Sequence, residues 1–500
     1  MNRLDLGTPW GITLALLPEC ILTAWALVVL LVVSWRHETA EDSRLAGWLS
    51  FAGVLLSGAG LAALWVNGVV PEGLAQMVAL DSFRYAAAGV ALLAAGATIL
   101  LSLGYLERER LLAPEYYPLI LLATAGMMFL GGAEDLIVLF LGLEVMSVAV
   151  YVLAGYDRSN AFSSEAALKY FLIGAFASGF LLYGIALAYG ATGTTNLSLI
   201  GAQLAGRPLP LMAALGLGLL LIGFGFKIAA VPFHMWAPDV YDGSPTPVAG
   251  FMATGVKAAA FASLVRVLME AFPSATNLWQ PIIAGLAIAS MVLGNLVALT
   301  QRPLKRMLAY SSIAHAGYLL VAVWPGSPAG AGSVALYLLA YSLATLAAFG
   351  FLAALGRGGE RDVTLDDLSG LAATRPALAF GLTVCMLSLL GFPGTFGFIG
   401  KWYILTAVVA QGHYILPVVL VLTSVVSAGY YLPVIMAMYM KPAPTADRYA
   451  AVRLSPAAAG AVALTVMAVV LLGIWPGTML DLAGQSGTTL TQTGVPLARP

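Results

Sequence analysis

The stretch Gly223-Phe-Gly-Phe-Lys-Ile-Ala-Ala-Val-Pro-Phe-His234 places a lysine and a proline inside an apolar segment that covers about residues 209–236. A second stretch, Leu390-Gly-Phe-Pro-Gly-Thr-Phe-Gly-Phe-Ile-Gly-Lys401, repeats the combination farther along the chain. Proline removes an intrahelical hydrogen-bond donor and clashes with the preceding turn. At membrane depth such irregular backbone survives only where protein or a water-filled cavity satisfies it. Both stretches therefore predict broken helices within a membrane.

The composition agrees with a membrane location. Hydrophobic residues make up 60% of the chain and charged residues 9%, whereas an ordinary soluble domain has roughly 25% charged residues. The net charge of -1 gives no indication of a nucleic-acid partner, and the two cysteines show no metal-ligand spacing. The chain is predicted to be a polytopic membrane protein in contact with lipid.

Apolar segments of about 20 residues, the length needed to cross the hydrocarbon core, recur fourteen times along the chain. We place these spans near residues 11–35, 45–66, 82–106, 115–132, 135–156, 163–190, 209–236, 246–271, 278–299, 304–324, 332–356, 377–411, 414–440 and 455–478. The predicted fold class is an all-α membrane protein with about 14 transmembrane helices, of which helices 7 and 12 are broken.

The distribution of cations predicts the orientation of these spans, because lysine and arginine are enriched on cytoplasmic loops. Fourteen cations follow odd-numbered spans, namely Arg36, Arg44, Arg108, Arg110, Arg158, Arg302, Lys305, Arg306, Arg357, Arg361, Arg375, Lys441, Arg448 and Arg453. The opposite side holds only Arg3, Arg84, Arg207 and Arg499. Both termini are therefore predicted to lie outside the cytoplasm.

The two broken helices lie five spans apart, which predicts two inverted five-helix repeats over spans 4–8 and 9–13. Broken helices at corresponding places in two halves are typical of transporters whose site lies near the membrane midplane. The predicted divisions are an N-terminal three-helix segment (1–112), a first repeat (113–272), a second repeat (273–441) and a C-terminal helix and tail (442–500).

Five ionisable residues lie inside the predicted spans, where a charged group costs about 2.5–3.5 kcal/mol at the helix centre. They are Glu144, Lys169, Lys227, Lys257 and Lys401. Such groups are functional candidates that face a bundle interior or a water cavity. We expect the lysines to form a proton relay, with Glu144 as a gate that favours the protonated form of a partner lysine.

Structural alternatives exist for each of these groups. Lys169 could snorkel towards a helix end, and Glu144 could be a counter-ion that fixes helix packing. His234 and His315 are further relay candidates, because histidine titrates near physiological pH. For each of them a purely structural role is about as well supported by the sequence. Arg266 and Glu270 lie four residues apart and are interpreted as a local ion pair.

Four stretches resemble the antiporter-like subunit N (ND2-type) family of respiratory complex I. They are Glu165-Ala-Ala-Leu-Lys-Tyr-Phe171, Phe226-Lys-Ile-Ala-Ala-Val-Pro-Phe-His-Met-Trp-Ala-Pro-Asp-Val-Tyr241, Arg306-Met-Leu-Ala-Tyr-Ser-Ser-Ile-Ala-His-Ala-Gly-Tyr318 and Gly397-Phe-Ile-Gly-Lys401. The resemblance covers almost the full chain. It implies that Glu144, Lys169, Lys227, Lys257 and Lys401 occupy the positions of that family's ionisable groups in spans 5, 6, 7, 8 and 12.

The resemblance also implies a function, a location and partners. The chain would be a non-redox, proton-translocating subunit of NADH:quinone oxidoreductase in a bacterial inner membrane, with both termini periplasmic. It would bind no cofactor itself, while NADH, FMN, iron–sulfur clusters and quinone would lie in partner subunits. Its neighbours would be a subunit M-like antiporter and small helical subunits of the membrane arm.

Two rival functions remain open at this point. An Mrp-type secondary cation/proton antiporter would share the fold and the lysines, and sodium-dependent transport would distinguish it. A structural membrane scaffold without transport fits the buried charges poorly. Copurification with NADH-oxidising subunits would favour the complex I assignment.

Overall fold

The computed structural model describes residues 3–5, 8–35, 39–68, 70–72, 77–111, 114–356, 363–442 and 454–492. In the first half, the α-helices are α1 (Pro9–Ala15), α2 (Leu17–Ser34), α3 (Ala40–Val66), α4 (Ser82–Ser102), α5 (Tyr105–Arg108), α6 (Tyr116–Gly131), α7 (Leu136–Ala154), α8 (Ala161–Thr192), α9 (Leu197–Leu204), α10 (Leu211–Lys227) and α11 (Trp236–Gly243). They are followed by α12 (Thr246–Phe251), α13 (Lys257–Arg266), α14 (Thr276–Ala298), α15 (Leu304–Val323), α16 (Pro328–Leu355), α17 (Leu371–Thr374), α18 (Pro376–Leu390), α19 (Phe396–Val409), α20 (Ile415–Met440), α21 (Pro456–Ile474) and α22 (Gly477–Gln492).

These helices confirm the predicted all-α membrane fold. Among the described residues, ten helical segments are long and apolar enough to cross a membrane, and α6, α10, α18 and α19 are shorter apolar helices. Helix α15 has 20 residues but is more polar than these segments. Every predicted span overlaps described helices, whereas α9 and α22 were not predicted. Two short strands, β1 (Arg3–Asp5) and β2 (Val70–Glu72), pair in parallel.

The predicted breaks in spans 7 and 12 are confirmed. Helix α10 ends at Lys227 and α11 begins at Trp236, while α18 ends at Leu390 and α19 begins at Phe396. In the first break the Nε1 of Trp236 donates a hydrogen bond to the carbonyl of Phe226 at 2.9 Å. Polar side chains thus satisfy backbone groups that the interrupted helix leaves without intrahelical partners.

Span 8 differs from the prediction of one continuous α-helix. Two π-helical turns, Met252–Val256 and Val267–Ala271, flank α13 on either side. π-Turns inside helices occur frequently at functional sites. All residues of the run Thr246–Ala271 are buried except the partly buried Met269, so span 8 forms part of the centre of the bundle.

In each half of the chain, glycine allows the first two helices of the predicted repeat to pack closely against each other. A Cβ on Gly126 of α6 would lie 2.5 Å from the backbone nitrogen of Met146 in α7. Likewise, a Cβ on Gly294 of α14 would lie 2.7 Å from the backbone nitrogen of Ala314 in α15. Small residues permit such backbone contact in membranes. The first two helices of each predicted repeat therefore pack in the same way.

The structure describes only part of the cation distribution. Arg36, Arg357, Arg361, Arg448, Arg453 and Arg499 lie outside the described residues. Arg84 was counted as a loop cation, but it lies in the first turn of α4, where its side chain is fully buried and ion-paired with Glu19. The sequence places Arg84 near the end of an apolar segment, which is typical of a loop residue. Its buried partner Glu19 is distant in sequence, so the ion pair could not be predicted.

Candidate functional site

Lys257 begins α13, directly after a π-turn, and its side chain is buried. Its Nζ donates hydrogen bonds to the carbonyl oxygen of Ser312 at 2.6 Å and to the Ser312 hydroxyl at 2.5 Å. The Nζ also lies 5.8 Å from the centre of the Tyr341 ring, whose hydroxyl donates to the same serine at 2.8 Å. A lysine of the first half is thus bonded directly to α15 of the second half.

His315 on α15 is buried. Its Nδ1 is 2.7 Å from the hydroxyl of Tyr337, and its Nε2 is 3.2 Å from the hydroxyl of Tyr431. The centre of its ring lies 4.9 Å from that of Tyr341, which Lys257 faces, and 5.3 Å from that of Tyr318, which Lys401 faces. Because each ring nitrogen has a hydroxyl partner, the ring can accept a proton at one nitrogen and release one from the other.

Lys401 on α19 points back into the break between α18 and α19. Its Nζ donates to the carbonyls of Leu389 and Leu390 at 3.2 and 2.9 Å and bonds to the hydroxyl of Ser424 at 3.1 Å. The three acceptors match the three N–H groups of an ammonium ion. A cation is favoured here because the last carbonyls of a helix carry partial negative charge. The Nζ also lies 4.6 Å from the centre of the Tyr318 ring.

Lys227 occupies a different setting at the end of α10. Its buried Nζ has no hydrogen-bond partner in the part of the chain that the structure describes. It lies 5.1 Å from the ring centre of Tyr151, 5.2 Å from that of Tyr170 and 5.8 Å from that of Phe226. Aromatic faces attract a cation without supplying an acceptor for its protons. The ammonium group of Lys227 is therefore surrounded by aromatic rings, and no directional hydrogen bond among the described residues fixes its position.

Glu144 on α7 makes no ion pair within the part of the chain that the structure describes, and its Oε1 is buried without a hydrogen-bond partner. The sequence did not show which lysine would be its partner. The structure favours Lys227, because its Nζ faces the ring of Tyr151, which lies seven residues after Glu144 and therefore on the same face of α7. Their interaction acts through space rather than through a direct bond.

Lys169 departs from the expectation of a buried relay. Its side chain is 43% exposed and forms ion pairs with Glu165 at 2.7 Å and with Asp239 at 3.0 Å. Arg306 at the start of α15 binds the other oxygen of Asp239 at 2.9 Å. Burial alone would raise the pKa of the Asp239 carboxyl, but the hydrogen bonds from Lys169 and Arg306 lower that pKa below its ordinary value.

His234 lies in the first break, as predicted, and is half buried. Its Nδ1 is buried and has no hydrogen-bond partner among the residues that the structure describes, so this atom does not connect it to the lysines. His315, by contrast, is joined to its surroundings through both ring nitrogens.

Sequence reasoning did not identify the hydroxyl groups that connect the site, those of Ser312, Tyr337, Tyr341 and Tyr431. Tyr337 and Tyr341 lie four residues apart on the otherwise apolar α16, so they share one helix face. That spacing was the available signal. It was missed because tyrosine is common at membrane interfaces, and only the folded chain places these side chains at depth beside His315.

No group of three or more His, Cys, Asp or Glu side chains among the described residues is arranged to hold a metal ion. Cys20 and Cys385 are free thiols. The ionisable site consists instead of lysines, one glutamate, one histidine and neutral hydroxyls. Groups of this kind can pass a proton.

Comparison with known proteins gives a consistent result. The family model described as "NADH:quinone oxidoreductase/Mrp antiporter, TM" matches residues 133–427. The chain is 44% identical to NADH-quinone oxidoreductase subunit N of Gemmatimonas aurantiaca, over 99% of this chain and 97% of that protein.

Solved structures show the same likeness. A chain of respiratory complex I from Thermus thermophilus is 38% identical, with a TM-score of 0.79 over 93% of this chain and 99% of that one. A chain of the Mrp complex from Dietzia sp. DQ12-45-1b has a TM-score of 0.83 over 95% of this chain and 98% of that one. At 24% identity, the second likeness concerns the fold alone.

Proposed function

The chain belongs to the NADH-quinone oxidoreductase subunit N family, and we propose that it moves protons across the membrane through Glu144, Lys227, Lys257, His315 and Lys401. The observation that carries this proposal is the position of His315, whose ring lies beside Tyr341 and Tyr318, the two rings that Lys257 and Lys401 face. Three residues from three separate helices thus converge in the centre of one chain, a costly arrangement for a scaffold without transport.

The lysines differ in how firmly their protons are held. The Nζ of Lys401 has three acceptors and the Nζ of Lys257 has two, whereas that of Lys227 has none. An ammonium with fewer hydrogen bonds loses less when it gives up its proton. Lys227 is therefore the group whose protonation can change most readily, and Lys401 is the group best suited to hold a proton until a neighbour receives it.

Glu144 supplies the switch in this scheme. Its negative charge favours the protonated form of Lys227, and because no direct bond joins them, a small displacement of either side chain changes the interaction. When the charge of Glu144 is drawn elsewhere, Lys227 releases its proton towards Lys257. The hydroxyls around His315 then carry it to Lys401.

Lys169 has a linking role in the proposal. Asp239 is bound by Lys169 from α8 and by Arg306 from α15, so this surface network couples the two halves of the chain. A change of charge at the exposed Lys169 would alter the strength of the ion pair between Asp239 and Arg306. This provides a route by which a neighbouring subunit could act on the second half.

The wider setting follows from the family. We place the chain in the membrane arm of a bacterial inner-membrane complex I, beside a subunit M-like antiporter and small helical subunits, with both termini periplasmic. Quinone reduction in other subunits would drive transport, and the redox groups would be held there. The divisions 113–272 and 273–441 would be the two transport units, flanked by 1–112 and 442–500; the boundary at 112/113 lies outside the described residues.

The second candidate is a subunit of an Mrp-type cation/proton antiporter, which the shared fold favours. The two functions differ in energy source and in ion. Transport by the complex I subunit would depend on NADH oxidation in the copurified complex, whereas an Mrp-type antiporter would exchange sodium for protons without NADH.

Substitution Lys227→Ala in the intact complex tests the proposal. It should reduce NADH-driven acidification of inverted vesicles while the complex remains assembled. Lys441→Ala is the matched control, because Lys441 is an exposed lysine paired with Asp366 at the surface. If an assembled Lys227→Ala complex pumps protons at the parent rate, Lys227 has no role in proton transfer and the proposal is wrong for this residue.

A further inference from the structure

A second cluster of buried charges surrounds Arg266, the last residue of α13. Its Nη2 donates to both carboxyl oxygens of Asp81, at 3.1 and 2.9 Å. Its Nη1 donates to Oε1 of Glu134 and to Oε1 of Glu270, each at 2.8 Å. The local ion pair of Arg266 and Glu270 is thus confirmed, but two further carboxyl groups distant in sequence join it. All four side chains are at most 4% exposed.

The charges in this cluster do not balance if every carboxyl group is ionised. One guanidinium faces three carboxyl groups, which would leave a net charge of minus two in a buried site. Arg84 contacts Asp81 through its backbone N–H, but its side chain donates to Oε1 of Glu19 at 2.7 Å. A buried charge without a counter-ion is normally neutralised by a change of protonation. At least one carboxyl group should therefore carry a proton.

The hydrogen bonds indicate which groups share that proton. Asp81 accepts from the backbone N–H of Arg84 at 2.7 Å as well as from Arg266, so its oxygens are satisfied as a carboxylate. Glu134 and Glu270 instead converge on the same Nη1, each through its Oε1 at 2.8 Å. Oε2 of Glu270 is buried and has no hydrogen-bond partner among the described residues. Two buried carboxylates that converge on one N–H group repel each other, and a proton on one of them removes that repulsion.

No other described charge competes for this pair. Asp135, the residue after Glu134, accepts a hydrogen bond from Thr195 at 2.6 Å and caps the start of α7. Helix α9, which packs against the π-turn that contains Glu270, has no ionisable side chain. Glu19 is committed to Arg84.

The position of the cluster relates it to the relay. Arg266 and Lys257 are nine residues apart on α13, a separation of roughly 14 Å along the helix axis. The cluster lies at the end of span 8 that the cation distribution predicts to face away from the cytoplasm. Glu270 lies within the π-turn Val267–Ala271.

We propose that Glu134 and Glu270 share one proton and form a proton-holding site at the outer end of the first half of this chain. Loss of the proton to water on the outer side leaves two carboxylates, and a proton from the direction of Lys257 restores the shared state. The shared proton follows from the cluster alone, whereas its exchange with the lysines rests on the proposed function.

Infrared spectroscopy of the purified complex at neutral pH tests the shared proton. Glu134→Gln and Glu270→Gln should each remove one protonated-carboxyl C=O stretching band from the parent spectrum, because each leaves one glutamate with no second glutamate to share a proton. Glu19→Gln is the matched control and should keep the band, since Glu19 has its own arginine. Retention of the band in both pair variants would overturn the proposal.

Thermal stability provides a second measurement on the same cluster. Glu270→Gln removes one carboxylate together with the shared proton, so the net charge of the cluster does not change and the melting temperature of the complex should stay at the parent value. Asp81→Asn makes the same chemical change at an ionised carboxylate and should lower it. Equal destabilisation by the two substitutions would contradict a shared proton.

Proton pumping distinguishes the transport role from the proposed function. The assembled Glu270→Gln complex should lose proton movement, because its amide cannot exchange a proton. If this variant pumps at the parent rate although the protonated-carboxyl band is lost, the Glu134–Glu270 pair has no role in transport. Full pumping by Lys227→Ala would instead count against the lysine relay and leave the shared proton standing.

Discussion

Gly391 allows the role of Lys401 to be tested without changing an ionisable group. Gly391 and Gly394 both lie in the second break and both have a φ of +87°. A side chain at either position should cost about 1–2 kcal/mol in backbone strain. Their surroundings differ, because a Cβ on Gly391 would lie 2.9 Å from Cδ and 3.4 Å from Nζ of Lys401, whereas a Cβ on Gly394 would meet nothing within 4 Å.

The substitution Gly391→Ala should therefore displace the Lys401 side chain, while Gly394→Ala adds only strain. The Nζ of Lys401 makes three hydrogen bonds, and a hydrogen bond to a charged group contributes about 1.5–3 kcal/mol. If the loss of one bond appears in the barrier of the proton step, the rate should fall roughly tenfold or more. Gly391→Ala should lose more thermal stability than Gly394→Ala, because the displaced lysine adds to the same backbone strain.

NADH-driven acidification of inverted vesicles, normalised to the amount of assembled complex, measures this effect. We expect Gly391→Ala to pump far less than Gly394→Ala per assembled complex, at a temperature where both complexes remain folded. Equal pumping by the two alanine variants would refute the reasoning, because the position of the Lys401 side chain would then have no influence on transport.

Three further predictions concern the gate, the orientation and the surface network. Glu144→Gln should abolish proton movement because it removes the charge that favours a protonated lysine, while Glu144→Asp should retain part of it; the reverse order in vesicle assays would show that reach matters more than charge. Reporter proteins fused after Arg306 and after Lys441 should indicate cytoplasm and one after Gly326 the opposite side, and exchanged signals would disprove the fourteen-span topology. The lowered pKa of Asp239 means that its ion pairs stabilise the fold above the ordinary carboxyl pKa and are lost as pH falls through the lowered value. An Asp239→Asn complex should therefore show a smaller drop in melting temperature on acidification than the parent, and identical pH profiles would remove Asp239 from the network.

Much of the fold was predictable because membrane crossing imposes a length and a composition on each helix. Apolar runs of sufficient length located the spans, and prolines located both breaks. The buried Lys227, Lys257 and Lys401 were recognisable for a similar reason, since an ammonium group is costly in an apolar run and is rare there without a functional role. These signals act within about 20 residues of sequence.

The environment of each group was decided only by tertiary structure. Lys169 and Lys227 have similar apolar sequence contexts, yet one is paired at the surface and the other is enclosed by aromatic rings. The partner of Arg266 at Asp81 is 185 residues away in sequence. An apolar sequence predicts that a segment enters the membrane. It does not predict which face of the helix contacts lipid and which face contacts another helix. Hydrogen bonds and ion pairs act over a few ångströms, so the packing that brings distant helices together determines which charges hold, share or pass a proton.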